Sequence, residues 1–116
     1  MVTDQPERVV TAELIREKAL LLLREEVPHG VGVAIDRMEQ RPGAELMDIY
    51  ATIFCERDSH KGILIGRGGA MLKRIGTEAR KDIEWMLGSR VNLQLYVKVN
   101  EDWRNKLSAL RELGYE

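Results

Sequence analysis

The chain has 116 residues, 44% of them apolar and 32% charged, with a formal net charge of −1. That is enough chain to bury one core unaided, and no apolar run approaches the roughly 20 residues that span a bilayer. A single cysteine, Cys55, excludes an internal disulfide and a cysteine-based metal cluster. The first residues lack the basic and apolar segments of a secretory signal. The sequence therefore predicts a cytoplasmic protein with no metal and no other cofactor.

Asp4-Gln5-Pro6-Glu7 has the pattern of a helix start, with Asp as cap and Pro in the first turn. From there to about residue 26, Val9, Ala12, Ile15, Ala19, Leu22 and Leu23 recur at helical spacing, and Val10, Leu14 and Leu21 widen the stripe. Pro28-His29-Gly30 stops this helix. Val31, Val33 and Ile35 alternate with small or polar residues, which predicts a strand to about residue 40. Arg41-Pro42-Gly43-Ala44 is a turn, and a second strand covers about 45–57, so the two form an antiparallel hairpin. Asp58-Ser59 caps a short helix over 60–65. A loop, Gly66-Arg67-Gly68-Gly69, leads straight into a long helix over about 70–87. That helix buries Leu72, Ile75, Ala79, Ile83, Met86 and Leu87, and Gly88 ends it. Val91, Leu93, Leu95, Val97 and Val99 give a clean period of two. A last helix is predicted over about 103–113, ended by Gly114. Two helices between the second and third strands make a crossover long enough for parallel pairing. The expected fold class is α+β, a three-stranded mixed sheet with helices on one face.

Charge is unevenly placed. Residues 1–59 carry seven basic and twelve acidic side chains, a net of −5; residues 60–81 carry six basic and one acidic, a net of +5; the remainder is −1. A local basic stretch on an acidic body suits a polyanionic partner, although a solvated helix face has the same composition. The glycine loop lies inside that stretch. Glycines let a backbone come close to a phosphate, and a helix that starts behind them points its positive end at the same spot. A bare glycine cluster also suits a plain helix–helix turn. A turn needs at most one or two glycines, however, and gains nothing from Arg67.

The stretch Ile65-Gly66-Arg67-Gly68-Gly69, set between two helices in an α-β-β-α-α-β order, resembles a type II KH domain, a module whose GXXG loop clamps four backbone nucleotides of single-stranded nucleic acid. More narrowly, the chain is similar to the C-terminal KH region of the Era family of bacterial ribosome-assembly GTPases. Residues 4–8, Arg16-Glu17-Lys18, 25–29, Glu56-Arg57-Asp58-Ser59, 61–73, Val97-Lys98-Val99, Trp103-Arg104 and Leu113-Gly114-Tyr115 carry that similarity. The resemblance implies one KH domain over 1–116, with 103–113 as a helical extension. It implies single-stranded RNA as partner, specifically the 3′ end of small-subunit ribosomal RNA within the small ribosomal subunit. It implies a GTPase domain in the same parent protein, and peripheral membrane association, for which no segment here accounts. No G-x-x-x-x-G-K-[ST] phosphate loop occurs in this chain, so GTP hydrolysis is not carried over to it.

The expected RNA contacts are Gly66, Arg67, Gly68 and Gly69 at the loop, with Lys61, Lys73, Arg74 and Arg90 as further cations. Ile63, Ile65 and Met71 are either core or the floor of an aliphatic base groove, whose far wall is Leu93 to Val97 beside Gly88-Ser89-Arg90. Six aromatic residues, none in 61–74, disfavour an aromatic stacking platform. His29 and His60 are too separated for a metal site. Cys55 reads as a small core residue, and Trp85 and Trp103 as packing anchors, with contact to RNA as the alternative for Trp103 beside the basic Arg104. Two other functions remain open: a protein-interaction domain with a vestigial groove, and a nucleotide-binding enzyme, for which no base or metal-ligating carboxylate sits near the loop.

Overall fold

A computed structural model describes residues 5–23 and 31–100. Helix α1, Gln5–Leu23, buries Thr11, Ile15, Ala19 and Leu23. The four-residue spacing of these positions keeps them on one face. Thr11 tolerates burial because its hydroxyl donates to the Glu7 carbonyl at 2.7 Å. The stripe is narrower than the sequence predicts. Val10 and Leu21 are 39% and 62% exposed; among the described residues, α3 and the first strand supply most of what covers this helix.

Strand β1, Gly32–Gln40, pairs antiparallel with β2, Leu46–Cys55. The turn between them closes with Ala44 N–H donating to the Arg41 carbonyl at 3.2 Å. Pro42 presets its own φ, and Gly43 supplies the positive φ of +75° that the next position needs. Register slips between Ile35 and Arg37. Asp36 is the extra residue of a bulge, so the inward alternation of Val31, Val33 and Ile35 resumes at Met38, which is 2% exposed.

Strand β3, Arg90–Val99, runs parallel to β2 from Leu46↔Arg90 to Cys55↔Val99, giving the sheet order β1-β2-β3. The crossover contains α2, Asp58–Ile65, a 3-10 turn over Arg67–Gly69, and α3, Ala70–Leu87. The expected mixed sheet and crossover are present. One sheet face sends Ile49, Ala51, Ile53 and Cys55 into the core against Leu64 of α2, Ile75, Ala79 and Ile83 of α3, and Ile15 and Ala19 of α1, all fully buried. Along the same period, β2 turns Asp48, Tyr50 and Thr52 to the other face, beside Asn92, Gln94 and Tyr96 of β3. Arg41 donates two hydrogen bonds to the Asp48 carboxylate, at 2.7 and 3.0 Å, and Asn92 a third at 2.9 Å. Arg8 and Arg16 of α1 donate to the carbonyls of Ile35 and Val31, at 2.9 and 2.8 Å, fastening the helix to β1.

Two local expectations are corrected. The residue capping α2 is Arg57, in extended conformation and without a side-chain cap bond, so Asp58 and Ser59 belong to the first turn. Trp85 is no packing anchor: it is 89% exposed. It follows the buried Ile83 by two residues, about 200° around a helix, and so points away from the core. Gly88 ends α3 as expected, at a φ of +65°, with its N–H on the Glu84 carbonyl at 2.9 Å. The predicted helix over 103–113, with Trp103, and the first helix's cap and end lie outside the described residues.

Candidate nucleic-acid interface

Gly66 ends α2 at φ +74° and ψ 178°, its N–H donating to the Gly62 carbonyl at 2.8 Å. Gly68 and Gly69 follow at φ +61° and +80°. All three glycines therefore take conformations that side chains rarely adopt. The expectation that a turn needs only one or two glycines fails here, since the turn uses all three. What separates them is space. A Cβ on Gly66 would fall 2.6 Å from Met71 Cβ, whereas on Gly68 or Gly69 it would meet nothing within 4 Å. The outer half of the loop is bare backbone facing open space, with the exposed Arg67 between.

Helix α3 starts at Ala70 with no side-chain cap and no acidic residue in its first turn, so its positive end is not neutralised locally. The N–H groups of Gly69 and Ala70 are spent on the carbonyls of Gly66 and Arg67. Fewer N–H groups remain for an anion than the sequence suggests, and Arg67 and the dipole carry more of the attraction. Among the described residues, no ion pair engages Lys61, Arg67, Lys73, Arg74 or Arg80, whereas Lys18, Arg37, Arg41 and Lys81 each have a carboxylate partner. Cations without internal partners leave their field available to an outside anion.

From the loop, an open cavity of about 350 Å³ runs between α3 and β3. Leu72 and Gly76 of α3 and Leu93 and Leu95 of β3 give it apolar walls, and Gly69, Lys73, Thr77 and Arg80 add its polar lining. The arrangement offers an uncapped positive helix end, a cationic helix side and an aliphatic slot.

The structure brings together part of the expected set. Gly69 and Lys73 line the groove with the expected wall of Leu93 and Leu95, and Gly66, Arg67 and Gly68 adjoin it in the chain. Ile63 and Met71 pack on the core instead, while Ile65, half-buried, is not among the residues packed against it. Lys61 is half-buried on α2; Arg74 is exposed on α3 but does not line the groove. Arg90 lies beyond the other end of α3, whose 18 residues span about 27 Å. It lines a separate opening with Glu7, Glu45 and Glu84.

Gly76, Thr77 and Arg80 were missed as groove residues. A glycine inside a strongly patterned helix was the signal for the first, and membership of the basic stretch for the last; Thr77 gave none. Cys55 is core, as expected. Burial pushes its thiol pKa up, which keeps it inert. Among the described residues no group of three His, Cys, Asp or Glu side chains could hold a metal ion, and no helix is long and apolar enough to cross a membrane.

An α+β frame with a glycine loop between two helices, opening on a groove at a parallel edge strand, defines the KH class of nucleic-acid-binding modules. The sequence model of the KH domain matches residues 26–104, and the chain belongs to that family. It is 58% identical over 116 residues to the GTPase Era of Alkaliphilus metalliredigens (strain QYMF), covering 100% of this chain and 39% of that protein. It is 58% identical over 115 residues to the GTPase Era of Clostridioides difficile (strain 630), covering 99% of this chain and again 39% of the relative. The chain thus spans about two fifths of the length of the curated relatives it matches, and its match is to their C-terminal KH region. Among solved structures, it superimposes on Era in complex with MgGDPNP and nucleotides 1506–1542 of 16S ribosomal RNA with a TM-score of 0.85 at 41% identity, covering 99% of this chain and 38% of that one. An Aquifex aeolicus Era variant bound to GDP and aluminium fluoride gives the same values.

Proposed function

We propose that this chain is a single-stranded RNA-binding module that reads the 3′ end of small-subunit ribosomal RNA and serves ribosome assembly as the KH part of an Era-like GTPase. The observation that carries this reading is the continuity of an open glycine loop, internally unpaired cations and an apolar groove along α3 and β3. The solved Era complex with 16S nucleotides supports it, being so similar in fold. In this reading Gly66, Arg67, Gly68 and Gly69 grip the phosphates, with Lys61, Lys73 and Arg74 along the strand's path. Ile65 borders the bases, and Arg90 joins only for RNA that runs the length of α3. Residues 1–116 act as one domain in the cytoplasm, with 103–113 as its helical extension. The chain performs no bond-making step; nucleotide hydrolysis belongs to the remaining three fifths of the relatives.

The test is affinity for a 16S 3′-end oligonucleotide after Arg67→Asp and Gly68→Asp together. Asp is tolerated near φ +61° better than most residues, so the fold survives and circular dichroism checks it. A loss of at least about tenfold is expected from reversing one charge and adding another. Unchanged affinity with an intact fold rejects the reading. Trp85 favours a second one, in which the outer face of α3 binds a protein; its mark is partner binding that is insensitive to salt.

A further inference from the structure

Hydrogen bonds at the two ends of β3 show which of its backbone groups point away from the sheet. Asn100 N–H, just past the strand, donates to the Cys55 carbonyl of β2 at 2.8 Å. Val91 N–H instead donates away from β2, to Glu84 Oε2 of α3 at 2.8 Å. Successive residues of a strand send their backbone groups to alternate edges. The even positions of β3 therefore bond to β2, and Leu93, Leu95 and Val97 turn their N–H and C=O groups outward. Among the described residues, none of these outward groups has a hydrogen-bond partner. Glu84 blunts only the start of the edge. The strand contains no proline, and its register to β2 runs without a bulge from Arg90 to Val99, so the outward groups form a regular template. The side chains of the same three residues are only half-buried, and Leu93 and Leu95 wall the groove.

We propose that a second copy of this chain pairs antiparallel with β3 about a two-fold axis at Leu95, and that this pairing and RNA exclude each other. A strand that fits this edge needs aliphatic side chains toward the helices and no charge opposite Gln94 and Tyr96. Strand β3 itself has that pattern. About the axis, Leu93 faces Val97 of the second copy and the two Leu95 residues face each other, and each pair exchanges both of its hydrogen bonds. On the other face Gln94 stands opposite Tyr96 and Asn92 opposite Lys98, so no like charges meet. An axis at Gln94 would set Arg90 against Lys98. Because Leu93 and Leu95 wall the groove, a second copy on this edge closes the slot to RNA. The pairing stands apart from the RNA reading; only the exclusion rests on it.

Sedimentation equilibrium of the 116-residue chain over roughly 1 µM to 1 mM, the range in which weak association shows, should find a reversible monomer–dimer equilibrium. Gln94→Lys with Tyr96→Lys sets lysine against lysine on both sides of the axis and should weaken the dimer at least about fivefold. Gln94→Lys with Tyr96→Glu sets opposite charges there and should restore it. Both positions are exposed, and circular dichroism checks both folds. A chain that stays monomeric throughout, or a dimer that the lysine pair leaves intact, overturns the pairing at β3. A dimer that the lysine–glutamate pair fails to restore overturns the axis at Leu95, since an axis at Tyr96 would set glutamate against glutamate. A 16S 3′-end oligonucleotide should convert the dimer into RNA-bound monomer, and a dimer that persists with RNA bound overturns the exclusion. If the oligonucleotide does not bind, the RNA reading fails and the exclusion with it, while sedimentation still decides the pairing.

Discussion

A methyl group added at Gly76 lands 3.5 Å from Leu95 Cδ1, an ordinary van der Waals contact, so the fold accepts it without shifting. Gly76 sits inside α3, where alanine is favoured over glycine by about 0.8–1.0 kcal/mol. For a domain of this size that gain raises the melting temperature by roughly 4–8 °C. The same methyl projects into the slot that the proposed function gives to a base. Overpacking of a filled site costs about 1–3 kcal/mol, which is at least about fivefold in Kd. Gly76→Ala should therefore melt later and bind RNA more weakly. Calorimetry or circular dichroism reads the first effect and anisotropy with a 16S 3′-end oligonucleotide the second. A more stable variant with unchanged affinity would refute the placement of bases between α3 and β3. A less stable one would show that Leu95 and its neighbours do not accommodate the methyl.

Gly66→Ala should behave oppositely, losing roughly 2–3 kcal/mol in urea denaturation, since its Cβ meets Met71 Cβ at 2.6 Å and its backbone sits at φ +74°. Asp48 gives a pH prediction. The Arg41 guanidinium first, and Asn92 second, hold its pKa down from 3.8 to about 2. A depressed carboxyl stabilises the fold above its unfolded pKa, so this contribution is full above about pH 4 and disappears as pH falls towards 2. Asp48→Asn should be less stable than the parent at pH 7, and urea midpoints should show that gap closing between pH 4 and pH 2. Trp85→Ala should change stability by no more than about 0.5 kcal/mol, because the side chain is 89% exposed; a larger loss would mean that a packed contact is being removed.

Elements with a long, regular period were legible in the sequence. Strand β3 came within one residue of its bounds and α3 matched, because a period of two and a 3–4 spacing each persist over nine residues or more. Several misses depend on what lies across the gap. The bulge at Asp36 is set by pairing with β2, and the exposure of Val10 and Leu21 by how little surface the neighbouring elements cover. The loop was recognisable from Gly66-Arg67-Gly68-Gly69, but the division between Gly66, which Met71 crowds, and Gly68 and Gly69, which face open space, is a tertiary fact. The groove was half legible. Its far wall followed from strand alternation, whereas Gly76, Thr77 and Arg80 joined it only through the way α3 lies against β3.

The two arginines that reach from α1 to β1 have a consequence for how copies of this chain meet. An outer strand offers unpaired carbonyls and N–H groups on which another strand can build. On β1, Arg8 occupies the Ile35 carbonyl, Arg16 the Val31 carbonyl just ahead of the strand, and the bulge at Asp36 breaks the repeat between Ile35 and Arg37. That margin is a poor template, which among the described residues leaves β3 as the better edge for strand addition. A sheet that can add strands on one side alone pairs once and stops. At the concentrations of a crowded cell, this limits misassociation through the sheet to a pair and keeps it from growing into a fibre.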